Sequence, residues 1–384
     1  MMNHLALVFL CAFTFSSFVY SAPVIVGKPL NPDISVGGLF SLTQFNKDTP
    51  LVFNSGHDPK VNGFNLQQME ISFQSNVDPY FRADIHSVFS ADGIELEEAY
   101  GTTLALPGGL QVKAGQFFTA FGRNNPTHPH TWDFANKPII LGRFFGGDGM
   151  RNPGAQISWL TPLPWFSEVI ISGQSSTGNL ATSFRTSQLS DSSITAVTTM
   201  RAIADLAYLF RTNHFVSLSE EWSLNLGGSY LTGPNAMGGS LRTDILGGDL
   251  YLKYRNPSSL SFVGLQLEAL RRLYAVPAGK TDDWGWYTQL IFRLPEPWQR
   301  WHLGIRYDWA STKTAPTFDS GSPGSDPDSA KRWRVSPVVT FYPSEFSKVR
   351  LQYDYDTQED NTPAQHAVSL QFEFLIGAHG AHQF

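Results

Sequence analysis

Near the end of the chain every second residue is apolar: Val368, Leu370, Phe372, Phe374 and Ile376 alternate with Ser369, Gln371 and Glu373. A period of two puts the first set on one face of a strand and the second on the other. The same alternation recurs along most of the chain, with aromatic residues on the apolar face. Such a pattern is what a transmembrane β-barrel needs, with lipid outside and a polar lumen inside. Helical spans are excluded, because beyond the first residues no segment approaches the ~18 consecutive apolar residues that one requires.

Composition agrees. Charged residues are 16% of the chain, against roughly 25% in ordinary globular proteins. Aromatics reach 14% and there are 33 glycines among 384 residues. The net charge is −6 and the basic residues are dispersed without a patch, which speaks against a nucleic-acid partner.

The one long apolar run, Leu5 to Val19, has the form of a signal-peptide core, with cleavage expected after Ser21 or Ala22. Met1 to His4 carries no Lys or Arg, so its positive region is weak. The expected division is a signal peptide over 1–22 and an outer-membrane barrel over 23–384. Cys11 lies inside the run, and Val8-Phe9-Leu10 before it lacks the small residues of a lipid-attachment site. The processed chain then has no thiol, which excludes disulfides and thiol catalysis.

About sixteen antiparallel strands are expected. They include 33–43, 109–121, 201–212, 220–232, 259–273, 284–294 and 364–377. Short connections with turn chemistry, such as Leu106-Pro107-Gly108-Gly109 and Leu294-Pro295-Glu296-Pro297, alternate with longer polar segments at 44–63, 122–150, 176–200, 233–242, 274–283, 312–331 and 358–363. Bacterial barrels have short periplasmic turns, longer outer loops and an even strand count. The rhythm therefore puts both ends in the periplasm, with 91–93 and 213–219 as its exceptions.

Strand phase assigns the lumen. Arg82, Asp84 and His86 oppose Phe81, Ala83 and Ile85. Arg306 and Asp308 oppose Ile305 and Tyr307, and Arg350 and Asp354 oppose Leu351 and Tyr353. A charge facing lipid at the midplane costs roughly 2–4 kcal/mol, so the charged faces look inward. Tryptophans near strand ends, such as Trp159, Trp165, Trp298 and Trp301, suit interfacial girdles.

The segment 122–150 is the candidate site. Its length marks it as functional, and Trp132, Phe134, Phe144 and Phe145 need burial that the lumen can supply. Packing over the rim is the plainer alternative. The expected pore-lining set is Arg82, Asp84, Arg123, His128, His130, Arg143, Arg306, Asp308, Arg350 and Asp354. It is mixed in sign, which argues against strong selectivity. His128-Pro129-His130 and His379-Gly380-Ala381-His382 each offer two imidazoles with no adjacent ligand, short of the three or four a site needs. They are read as rim histidines, with no metal and no cofactor. No Ser-His-Asp arrangement stands out, so no catalytic residue is assigned.

The stretch Ile94-Glu95-Leu96-Glu97-Glu98-Ala99-Tyr100, with Gly109 to Phe117 and Ala120-Phe121-Gly122-Arg123, resembles the family of phosphate-selective porins O and P over about thirty residues. The long segment after the fifth strand is similar to the inward constriction loop of sixteen-stranded porins. Such porins use a one-sided arginine series, which is not traced here, so phosphate specificity does not carry over. The closing Gly377 to His382 resembles endings of poorly characterised outer-membrane proteins, some linked to zinc regulation. The resemblance implies a non-enzymatic channel for small hydrophilic solutes or ions. Its partners would be the outer-membrane bilayer, the barrel-assembly machinery and a homotrimer of its own chain. A metal-linked outer-membrane protein and a barrel enzyme such as a lipase or protease are the alternatives.

Overall fold

The computed structural model describes residues 32–47, 57–90, 93–186, 197–277, 279–314, 331–358 and 363–377. The expected signal segment 1–22 and the His379/His382 pair lie outside them. The strands are β1 (Asp33–Phe45), β2 (Gly63–Asn76), β3 (Phe81–Ser90), β4 (Gly93–Thr103), β5 (Leu110–Phe118), β6 (Arg151–Leu160), β7 (Phe166–Gln174), β8 (Ala207–Ser217), β9 (Trp222–Pro234), β10 (Arg242–Asn256), β11 (Ser261–Val276), β12 (Gly279–Arg293), β13 (Trp301–Thr314), β14 (Arg332–Ser344), β15 (Ser347–Gln358) and β16 (Gln365–Gly377). One short helix, α1 (Ile139–Phe145), lies between β5 and β6.

Each strand pairs antiparallel with its neighbours in sequence, and β1 pairs with β16 from Ser35 opposite Gly377 to Phe45 opposite Ala367. This closes a transmembrane barrel of sixteen strands and leaves no edge with unpaired backbone groups. Period two explains which way each residue points. In β16, Val368, Leu370, Phe372 and Ile376 are exposed at 44–61%, while Ser369, Gln371 and Glu373 are exposed at 2–4%. The polar residues are thus inside and the apolar ones outside, the reverse of a soluble protein. At the short-turn end Trp159, Trp165, Trp222, Trp298 and Trp301 are exposed. Toward the other end rings pair across strands, with Trp284 and Trp309 at 4.3 Å and Trp333 and Tyr355 at 5.3 Å between centroids.

Two stretches differ from the sequence expectation. β8 begins at Ala207, after a 3-10 turn over Ile203–Asp205, so the connection to β9 moves to 218–221. The expected loop 274–283 is mostly strand, because β11 and β12 run on to pair Val276 with Gly279. Its polar residues are cross-strand partners: Asp282 and Asp283 hold Arg271 and Arg272 at 2.8 and 2.5 Å.

The phase predicts a sharp contrast between neighbours. Leu370 faces outward between Leu42 of β1 and Leu351 of β15. Leu370→Arg should cost about 2–4 kcal/mol of barrel stability in lipid. Gln371→Glu should be tolerated, because Gln371 already accepts a hydrogen bond from the Arg350 guanidinium inside. Urea titrations of both variants in vesicles, read by the shift between folded and unfolded gel bands, measure the difference. Equal losses would mean the strand phase is wrong.

Candidate functional site

The segment between β5 and β6 is fastened to the inner wall at many points. It departs through Gly122, which has φ +63 and whose amide donates to Ser229 Oγ at 3.1 Å. A Cβ at Gly122 would stand 2.9 Å from Glu268 Oε1, so this position needs glycine on two counts. The same Glu268 oxygen, from β11, accepts the amides of Arg123 and of Asn124, the latter at 2.9 Å.

Farther along, side chains from β13, β14 and β15 hold the segment by its backbone. Lys348 Nζ donates to the His130 carbonyl at 2.6 Å, and the Arg350 guanidinium donates to that of Trp132. Arg306 donates to the Asn136 carbonyl at 2.8 Å and Arg334 to the Lys137 carbonyl at 2.6 Å. Acceptors on the same strands take the amides: Gln352 Oε1 takes Ala135 at 2.7 Å, and Asp308 Oδ1 takes Ile139 at 3.1 Å. Asp308 thereby satisfies one of the first amides of α1, which has no side-chain cap of its own. Hydrogen bonds to charged groups contribute about 1.5–3 kcal/mol each, so this ladder fixes the segment firmly. An apolar cluster completes the attachment: Ile140, Phe144 and Phe145 of α1 pack with Phe121, Phe184, Leu231 and Ile245.

The ladder covers part of the expected pore-lining set. Arg306, Asp308, Arg350 and Asp354 point inward, as their phase requires, but the segment covers them and they are buried. Arg143 is buried within α1. Arg82 and Asp84 pair with each other at 2.8 Å outside the cavity lining. Arg123, His128 and His130 do line a cavity of about 500 Å³ that remains beside the segment. Other charges there are Lys113, Arg211, Glu70, Glu98, Asp133 and Glu168. Arg123 lies over the Tyr251 ring at 4.2 Å, and Arg211 is held by Asp249 at 2.6 Å. Burial raises the Asp133 carboxyl above its ordinary value, opposed by Arg350. It also lowers the Lys137 amine to about 8.

One corner of the cavity gathers groups that spacing alone did not bring together. His128 Nδ1 lies 2.9 Å from Glu97 Oε2 and 3.3 Å from Glu70 Oε2, and its Nε2 lies 2.9 Å from Glu98 Oε2. His130 Nδ1 is 3.2 Å from Glu70 Oε2, and the His86 ring stands 4.9 Å from that of His128. Burial disfavours a charge on His128, but the Glu70 and Glu97 carboxylates outweigh it and hold the imidazole well above its ordinary value. Glu97 and Glu98 are adjacent, and strict alternation would send one of them to lipid. A β-bulge prevents this: the register steps from His86 opposite Glu98 to Ser87 opposite Leu96, so Glu97 is the extra residue and both carboxylates are buried. The sequence reading missed both. The available signal was Glu95-Leu96-Glu97-Glu98, three acids in four residues of a membrane strand.

No family model matches the chain. An uncharacterized protein of Aquifex aeolicus (strain VF5) is 31% identical over 397 residues, covering 93% of this chain and 81% of that protein. The chain belongs to the same family as that protein. Among solved structures, the outer-membrane channel DcaP of Acinetobacter baumannii is similar with a TM-score of 0.59 at 11% identity, over 91% of this chain and 99% of that one. The trimer form of OmpT, an outer-membrane protein of Vibrio cholerae, aligns with a TM-score of 0.54 at 8% identity, over 90% and 99%. At such identities the likeness establishes the fold.

Proposed function

Within that family, we propose that this chain is a porin-like channel of the bacterial outer membrane, through which small hydrophilic solutes and ions diffuse passively. One observation carries the reading. A barrel with an apolar outside encloses a charged cavity of about 500 Å³, beside a segment clamped to the wall by lumenal Arg and Lys. Clamping at that many points makes a fixed constriction rather than a swinging lid, and the charges facing the cavity set its field. The described channel nature of DcaP supports the reading, and the trimer form of OmpT supports a homotrimer. Residues 1–22 would be the export signal, and the barrel-assembly machinery would insert the remainder.

Phosphate selectivity is not part of the proposal. Among the described residues, Arg211, Arg306 and Arg332 pair with Asp249, Asp308 and Asp356 at 2.6–2.8 Å, so these arginines are matched by carboxylates rather than lined up for an anion. The test is a planar bilayer. The purified, heat-modifiable barrel should give discrete conductance steps with modest ion selectivity. Folded protein that never conducts would overturn the reading.

A further inference from the structure

We propose that His86 of β3, Glu98 of β4 and His128 of the inward segment bind one divalent first-row transition ion of the zinc class, with an open coordination position facing the cavity. The candidate ligand atoms of these three residues already lie within 4.8 Å of one another. Around a zinc ion with bonds of about 2.1 Å, tetrahedral ligand atoms sit roughly 3.4 Å apart, so closure needs only small side-chain movements. Glu98 Oε2 and His128 Nε2 are closer than that at 2.9 Å, and an ion between them would part them slightly.

The groups behind these ligands are the second argument. A metal-bound imidazole almost always has its other nitrogen bonded to a carboxylate, a carbonyl or water, which fixes the ring and its tautomer. His86 Nδ1 lies 2.8 Å from Ser72 Oγ and 3.3 Å from Glu70 Oε1, which leaves Nε2 for a metal. His128 Nδ1 is held by Glu97 at 2.9 Å, with Nε2 turned toward Glu98. Both rings are therefore oriented from behind by carboxylates.

The framework is rigid. His86 and Glu98 are directly opposed on paired strands, and the bulge that brings Glu97 inward also fixes Glu98. The edge of the Phe118 ring meets His128 at 5.4 Å between centroids and supplies an apolar wall. Anchoring the segment would need one carboxylate for one imidazolium. Here three carboxylates converge on His128, and behind them His130 lies 3.2 Å from Glu70 Oε2 and Arg151 3.8 Å from Glu97 Oε1, which leaves Glu98 as the carboxylate on the Nε2 side of His128. Two imidazoles with one carboxylate select zinc-like ions over calcium and magnesium, which prefer all-oxygen shells.

The inference does not depend on the channel reading, because metal is measured on folded barrel in detergent whether or not it conducts. The protein is stripped with EDTA and dialysed against Zn²⁺ in the presence of excess Ca²⁺. One zinc per chain is expected. Glu98→Gln and His86→Ala should each abolish stoichiometric binding. Glu97→Gln, behind the ligands, should weaken it about 10–100-fold. His379→Ala with His382→Ala should leave it unchanged. Co²⁺ in the wild-type barrel should give the intense visible bands of a four- or five-coordinate site, a readout that does not require any variant to fold. No zinc in the wild type, zinc that survives His86→Ala with Glu98→Gln, or a weak octahedral cobalt spectrum would each overturn the proposal.

Discussion

Deleting residues 126–146 is expected to raise single-channel conductance several-fold while the barrel still assembles. The cut is sterically mild, because Asn125 Oδ1 already accepts the Met150 amide at 3.3 Å and the two ends of the segment are neighbours. The uncovered wall stays satisfied, since Arg306 keeps Asp308 at 2.8 Å and Arg332 keeps Asp356 at 2.7 Å. Some stability is lost, because Phe121, Phe184, Leu231 and Ile245 lose the apolar face of α1. The inter-strand hydrogen bonds that define the barrel are untouched. A sixteen-stranded barrel leaves an aqueous channel unless something fills it, so removing the filler should widen the path. Conductance equal to wild type, from a variant that runs as folded barrel, would mean that the segment is not the constriction.

The sequence made the barrel legible because lipid and lumen sort side chains by a single rule, repeated in every strand. Phe81 and Ile85 outside against Asp84 and His86 inside is such a case. Strand ends were less legible. Lys280-Thr281-Asp282-Asp283 looks like a solvated loop until Arg272 is seen to stand opposite Asp283 in the hairpin and Arg271 to reach diagonally to Asp282. At the site, phase turned Arg306 and Arg350 away from lipid, yet could not tell that loop carbonyls would cover them. Inwardness follows from a strand's own pattern, whereas what covers an inward group depends on a segment more than 150 positions away in sequence, such as Asn136 for Arg306. The bulge at Glu97 was hidden for a related reason. An extra residue resets the alternation, and only the register with β3 reveals it.

Reversing charge in the cavity is the other change with a large expected effect. Lys113 and Arg123 both line it, whereas Arg143 does not and is left alone. Lys113→Glu with Arg123→Glu changes the cavity by four charge units and leaves Glu70, Glu98, Asp133 and Glu168 in place. The balance becomes strongly negative, and cations should be preferred over anions by several-fold more than in the wild type. The backbone amide that Arg123 gives to Glu268 is kept, and what is lost on the segment is the stacking of its side chain on Tyr251. Pore size should therefore stay the same, and conductance in 1 M salt should move little. The shift in selectivity should grow as salt is lowered, because the screening length rises from roughly 3 Å at 1 M to roughly 30 Å at 0.01 M. Reversal potentials across a salt gradient read this directly. If the double variant keeps wild-type selectivity at low salt, ions do not pass through this cavity.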